Sequence, residues 1–164
     1  MLSKKIQQAL NEQINEEFGS AYLYFAMSSW FKAHNLEGFA SWLQVQASEE
    51  TKHALKIYGY LHDQRADAEL LALPAPKKIW KSALDAFEDT LKHEKHITGR
   101  INDLVALAQV DKDNATLVFL HWFVSEQVEE EASAQVVVDK LKLVAQHPGG
   151  VYLIDREMAA RASA

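Results

Sequence analysis

The chain has 164 residues, 48% of them hydrophobic and 24% charged, which suits one domain with a substantial core and is too little for two. It has no cysteine, so disulfides, thiolate metal sites, iron–sulfur clusters and cysteine nucleophiles are excluded, and any metal must be held by oxygen and imidazole. The formal charge of −6, from 17 basic and 23 acidic side chains, argues against sequence-independent nucleic-acid binding, which needs a basic face, and invites cations instead.

The opening stretch Met1-Leu2-Ser3-Lys4-Lys5-Ile6-Gln7-Gln8 runs directly into amphipathic sequence, and no later apolar run approaches a bilayer span. A cytoplasmic protein with no membrane partner is expected. The only prolines are Pro74, Pro76 and Pro148, leaving two long proline-free stretches, each with room for a pair of helices. His34-Asn35-Leu36-Glu37-Gly38 supplies the turn within the first stretch and Asp111-Lys112-Asp113-Asn114 the turn within the second. Helices are thus predicted near 4–33, 38–64, 82–110 and 115–145, in one domain over 1–164.

Each predicted helix carries a stripe at alternating steps of three and four, the seam of an antiparallel bundle. The first runs Ile6, Leu10, Gln13, Glu17, Ser20, Tyr24, and the second Phe39, Leu43, Gln46, Glu50, His53, Ile57, Tyr60. The third runs Leu84, Phe87, Leu91, Glu94, Thr98, Ile101, Val105, Ala108, and the fourth Thr116, Leu120, Phe123, Gln127, Glu130, Ala134, Val137, Leu141, Val144. Short turns make helices one and two antiparallel neighbours, and likewise three and four. The segment from about 65 to 81 must then be a long crossover between the two hairpins. A short fifth element over about 151–160 follows Pro148-Gly149-Gly150 and is expected to stay outside the core.

The two halves echo one another at a constant offset of 77 residues: 17 with 94, 49 with 126, 50 with 127 and 53 with 130. Two similar hairpins about a pseudo-twofold axis would gather these positions around one point. All four stripes are interrupted by polar groups near their midpoints: Glu17, Glu50 with His53, Glu94, and Gln127 with Glu130. A buried carboxylate costs several kcal/mol even after relaxation, and four together also repel. No Lys or Arg stands in the seams, so protons or metal ions must supply the balance, and two divalent cations match four carboxylates directly.

One half holds Glu17 with Glu50-Thr51-Lys52-His53, whose i and i+3 members share a helix face. The other holds Glu94 with Gln127-Val128-Glu129-Glu130, where a neutral amide replaces a carboxylate and a carboxylate replaces an imidazole, so its metal has weaker ligands. Glu49, Glu126 and Glu129 flank this level, either as exposed helix carboxylates or as a third, weaker metal site. Tyr24, one heptad beyond Glu17, is placed to hydrogen-bond a ligand, to donate an electron, or simply to fill the core. His93-Glu94-Lys95-His96 spaces its histidines by three instead of the four that zinc proteases use, and both flank the seam. Trp30, Trp42 and Trp122 read as packing or interface residues. Setting aside the seven glutamates named around this level leaves 16 acids against 17 bases, so the acidic excess is concentrated here.

On these motifs the chain resembles the bacterial non-haem ferritins over nearly its whole length. The resemblance rests on Asn11-Glu12-Gln13, Glu17, Glu49-Glu50-Thr51-Lys52-His53, Lys92-His93-Glu94, and Trp122-Phe123-Val124-Ser125-Glu126-Gln127 with Glu129-Glu130-Glu131. A Glu from each of two helices with Glu-x-x-His from each of the other two is the known arrangement of ferritin-like carboxylate bundles. Bacterioferritin is less similar, since a second histidine would stand at Glu130 and a haem-binding methionine at Thr51, and haem is not expected. Rubrerythrins would carry a cysteine-rich iron domain, and mini-ferritins lack the terminal helix.

The resemblance implies an all-α ferritin-like four-helix bundle with a long crossover and a short fifth helix, assembled into a 24-subunit shell that stores iron as ferric mineral. Val151-Tyr152-Leu153-Ile154 would pack around a fourfold axis. Fe(II) would bind a first site of Glu17, Glu50 and His53 and a second of Glu50, Glu94, Glu130 and Gln127, bridged by Glu50. A third iron at Glu49, Glu126 and Glu129 and oxidation by O2 or H2O2 complete the expectation. The competing reading is a carboxylate-bridged di-iron or di-manganese enzyme without a shell.

Overall fold

Ser3 opens the first helix by accepting the Ile6 N–H on its hydroxyl at 3.2 Å, satisfying one of the donors every helix start leaves free. The computed structural model describes residues 2–161, and in it helix α1 spans Lys4–Ala33, α2 Glu37–Asp63, α3 Ala83–Val110, α4 Asn114–Val144 and α5 Pro148–Met158. Ser82 caps α3 through Asp85 N–H at 3.1 Å, and Asp113 caps α4 through Thr116 N–H at 3.1 Å. No strand occurs among the described residues, and no helix among them is long and apolar enough to cross a membrane.

The first turn falls within the expected segment 34–38. Asn35, at φ 58°, takes the left-handed conformation that ends α1, while Leu36 N–H returns to Phe31 C=O at 3.1 Å in the manner of a helix C-cap. Gly38 is left inside α2, where it serves close packing: a β-carbon there would overlap the backbone carbonyl of Asp155.

Helices α1 and α2 form one antiparallel hairpin and α3 and α4 the other, with α1 also against α3. The long crossover follows because α2 and α3 run in the same direction. Asn11 ties it down on both sides of one residue, donating to Asp67 C=O at 3.2 Å and accepting Glu69 N–H at 2.7 Å. Near its end Trp80 is buried and donates to Asp89 at 2.9 Å.

The core is divided in two. One cluster gathers Tyr24, Phe31, Phe39, Leu43, Phe87 and Leu141, the other Ile6, Leu10, Ile14, Ile57, Ile101 and Phe123. Between them lies a buried polar level made of Gln13, Glu17, Gln46, Glu50, His53, Glu94, Gln127 and Glu130. The predicted stripes of α1 and α4 are buried almost throughout. On α3 the buried line instead passes through Thr90, Ile97 and Leu104, leaving Leu91, Thr98 and Val105 half-buried beside it. Tyr60 of α2 is likewise half-buried, with Leu61 taking the core position.

Helix α5 corrects the expectation that it stays outside the core. Ile154 and Met158 join the first apolar cluster, and α5 packs on both α2 and α4. Its start lies at Pro148, suited to a first helical turn. Leu36 gives α2 no side-chain cap, and buried Asp155 of α5 supplies one from a distance by accepting Phe39 N–H at 2.9 Å. Asp155→Ala is expected to destabilise the protein by about 1–2 kcal/mol, as loss of a cap does, and Gly38→Ala by about 1–3 kcal/mol through overpacking against α5. Denaturant unfolding checks both, and unchanged midpoints would contradict the docking of α5 on α2.

Candidate metal centre

The polar level places one carboxylate from each of α1, α2, α3 and α4 around a point. Glu17, Glu50 and Glu94 are no more than 2% exposed, and Glu130 is 8% exposed. Three sets of ligand atoms lie within 4.8 Å of one another: Glu17, Glu50 and His53; Glu50, Glu94 and Glu130; and His53, Glu126 and Glu130. Glu50 is common to the first two sets, where a bridging carboxylate would stand. Within the first, His53 Nδ1 lies 3.4 Å from Glu50 and 3.9 Å from Glu17.

Buried oxygens and nitrogens normally find partners, because an unpaired one forfeits its hydration. Here Glu17 Oε2, Glu50 Oε2, Glu130 Oε2 and His53 Nδ1 are buried with no hydrogen-bond partner. Their orphaned atoms are oxygens and imidazole nitrogen, the donor set that suits a first-row divalent metal. Their other oxygens are tied by neutral donors: Gln13 donates to Glu17 at 2.8 Å, and Gln46 donates to Glu50 at 2.8 Å and to Glu130 at 3.1 Å. Tyr24 donates its phenol hydrogen to Glu94.

Gln127 turns its amide nitrogen toward the same carboxylate, 3.2 Å from Glu94 Oε2 and 3.3 Å from its backbone carbonyl. It thus acts on Glu94 as a donor that orients it. Of the three flanking glutamates, Glu126 faces His53 Nε2 at 3.9 Å, Glu49 is held by Arg161 at 2.6 Å, and Glu129 is exposed. His93 and His96 lie outside these sets: His93 pairs with Ser20 at 2.7 Å and His96 with Glu16 at 3.1 Å. Burial lowers the His93 imidazole to about 4. Trp122 lies edge-on to His53 at 5.3 Å.

In the sequence Gln13 and Gln46 are stripe positions to which no role is assigned. Each stands four residues before a central glutamate, one turn away on the same face, which is the signal that could have found them. Nothing in the local sequence pointed to Arg161, because its approach depends on where α5 docks.

Without a bound cation the carboxylates must hold protons. Burial pushes Glu17 well up, with the Glu50 charge adding to it. Burial also raises Glu94. Glu50 rises to about 8 through burial and then Glu94, and Glu130 to about 11 through burial and then Glu50, Glu94 and Glu17. Burial and the Glu94 charge raise the Tyr24 phenol, which stays a donor.

The fold and its central carboxylates define a ferritin-like carboxylate bundle, and the ferritin family, described as a ferritin-like domain, matches residues 7–144. This chain belongs to the ferritin family. It is 46% identical to the bacterial non-heme ferritin of Campylobacter jejuni, covering 95% of this chain and 93% of that protein. It is 41% identical to the bacterial non-heme ferritin of Staphylococcus aureus strain USA300, covering 98% and 97%. An engineered closed form of the Archaeoglobus fulgidus ferritin superposes with a TM-score of 0.98 at 42% identity, each chain covered fully. The open-pore ferritin of that archaeon gives 0.97 at 42% identity, over 99% of this chain and all of that one.

The raised carboxylates set the sign of the pH dependence. The metal-free fold keeps protons that the unfolded chain releases near the ordinary 4.5, so this stabilisation is complete below that value and is lost as pH rises through about 8 for Glu50 and toward 11 for Glu130. Metal-free protein is expected to unfold at lower temperature at about pH 8 than at about pH 6, and Glu130→Gln to shrink the difference. Thermal unfolding with a chelator present checks this, and a rise in stability over the same interval would contradict it.

Proposed function

We propose that this chain is the subunit of an iron-storage shell that oxidises Fe(II) within each subunit and deposits the product as ferric mineral inside. The single observation that carries the reading is the set of buried, unpartnered ligand atoms on Glu17, Glu50, Glu130 and His53 at the midplane of the bundle. Fe(II) is the substrate. Glu17, Glu50 and His53 would hold one ion, Glu50, Glu94 and Glu130 the other, and Gln127 and Tyr24 would orient Glu94. Glu126, beside His53 and Glu130, together with Glu49 and Glu129, would take a third iron more weakly.

Four hard carboxylates stabilise Fe(III) over Fe(II) and so lower the potential of bound iron. Two Fe(II) give up one electron each. O2 takes the pair with two protons and leaves as H2O2, or H2O2 takes the pair with two protons and leaves as two waters. Assembly into a 24-subunit shell is supported by the likeness to ferritins over the whole chain. It is supported as well by large apolar side chains left exposed on the single subunit, among them Phe25, Leu70, Ile79, Tyr152 and Leu153. Tyr152 and Leu153 of α5 would meet their counterparts at the fourfold axis.

Glu17→Ala and His53→Ala are each expected to slow the initial oxidation of Fe(II) by more than about tenfold, the lower range seen when metal surroundings are altered, while the shell still assembles. Stopped-flow absorbance of ferric product, with size-exclusion chromatography alongside, measures both. Unchanged oxidation would displace the assigned centre, and elution of the wild type as a small species would favour the enzyme without a shell.

A further inference from the structure

We propose that Arg161, just beyond α5, is a positioning residue for the metal centre, acting through Gln46. This rests on the reading of Glu50 and Glu130 as iron ligands. The last turn of α5 brings the chain back onto α2, where the Arg161 guanidinium lies 4.2 Å over the ring of buried Trp42. From there Nη2 donates to Gln46 Oε1 at 3.0 Å and to Glu49 Oε2 at 2.6 Å.

A guanidinium has donors and no acceptor, so the end of the Gln46 amide that meets it must be the oxygen. The NH2 end is thereby forced toward the carboxylates, where it donates to Glu50 and Glu130 together. One side chain thus ties a ligand shared by both ions to a ligand of the second. With Arg161 removed, the amide is free to turn its oxygen to the carboxylates, which repels both and loosens their geometry. The same construction occurs on α1, where Arg100 Nε donates to Gln13 Oε1 at 3.1 Å and Gln13 donates onward to Glu17. Arg161 differs in its origin: it reaches the centre from the residues just after α5, so the seating of α5 and the aim of two ligands are coupled.

The test is a double-mutant cycle on assembled, iron-free shells, read by calorimetric titration with Zn(II), which binds such sites without redox chemistry. Arg161→Ala is expected to weaken binding at the paired sites by about tenfold, the usual scale for a group that orients a ligand. Gln46→Ala should weaken it at least as much, and the double variant no further than Gln46→Ala alone, since Arg161 then has nothing to act through. The loss should persist in a Glu49→Ala background, which removes the other acceptor. Should Arg161→Ala shells fail to assemble, the same cycle with Arg161→Lys, which keeps the charge but not the fork, should show a smaller, equally non-additive loss. Additive losses, or unchanged affinity in the single variant, would overturn the proposal. A wild type that binds no pair of Zn(II) ions would overturn the metal-centre reading itself, and this inference with it.

Discussion

The mutual repulsion of four carboxylates held out of water at one level is the constraint on which the rest of the structure depends. Desolvation alone disfavours each charge, and proximity adds to it, which is why Glu130, facing Glu50, Glu94 and Glu17, is raised to about 11. Two apolar clusters, one on either side of the polar level, provide the packing that keeps these groups together despite their cost. Long helices suit this arrangement, since each has turns to spare above and below the level for ordinary core residues.

The neutral donors around the carboxylates divide the work between structure and binding. Gln13, Gln127 and Tyr24 each satisfy one glutamate oxygen and Gln46 satisfies one on each of Glu50 and Glu130, while the opposite oxygens of Glu17, Glu50 and Glu130 remain unpaired. A carboxylate pinned on one side and open on the other is already aimed at an ion, so less ordering is needed when one arrives. The two halves of the pseudo-symmetric bundle differ here. In one His53 stands with a buried, unpaired ring nitrogen, and in the other Glu130 stands at the equivalent position, with Gln127 turned to hold Glu94.

Most of this was legible in the residues because helix ends and helix faces are local properties. The turn formers of 34–38 and 111–114 and the prolines act over a few residues, and the predicted bounds of all four long helices differ from the observed ones by no more than a residue. The level of the site was legible too, since antiparallel packing converts interruptions at helix midpoints into one cluster. What was not legible depends on tertiary contacts. The buried line of α3 is set by how its wide apolar face meets its neighbours, so Ile97 and Leu104 take positions expected for Thr98 and Val105. Gly38, inside α2, is required by the approach of Asp155, a contact from α5 far along the chain. The docking of α5, and with it Asp155 as a distant cap and Arg161 as a neighbour of the centre, has no short-range signature at all.

Helix α5 therefore has three roles: it closes the first apolar cluster, caps α2 and brings a cation to the edge of the polar level. The central claim is nevertheless the position of the two ions, and anomalous diffraction at the iron edge from crystals soaked anaerobically in Fe(II) tests it most directly. The account predicts two peaks in each subunit on either side of Glu50, one bounded by Glu17 and His53 and the other by Glu94 and Glu130. Iron bound elsewhere, with no density at either position, would contradict it.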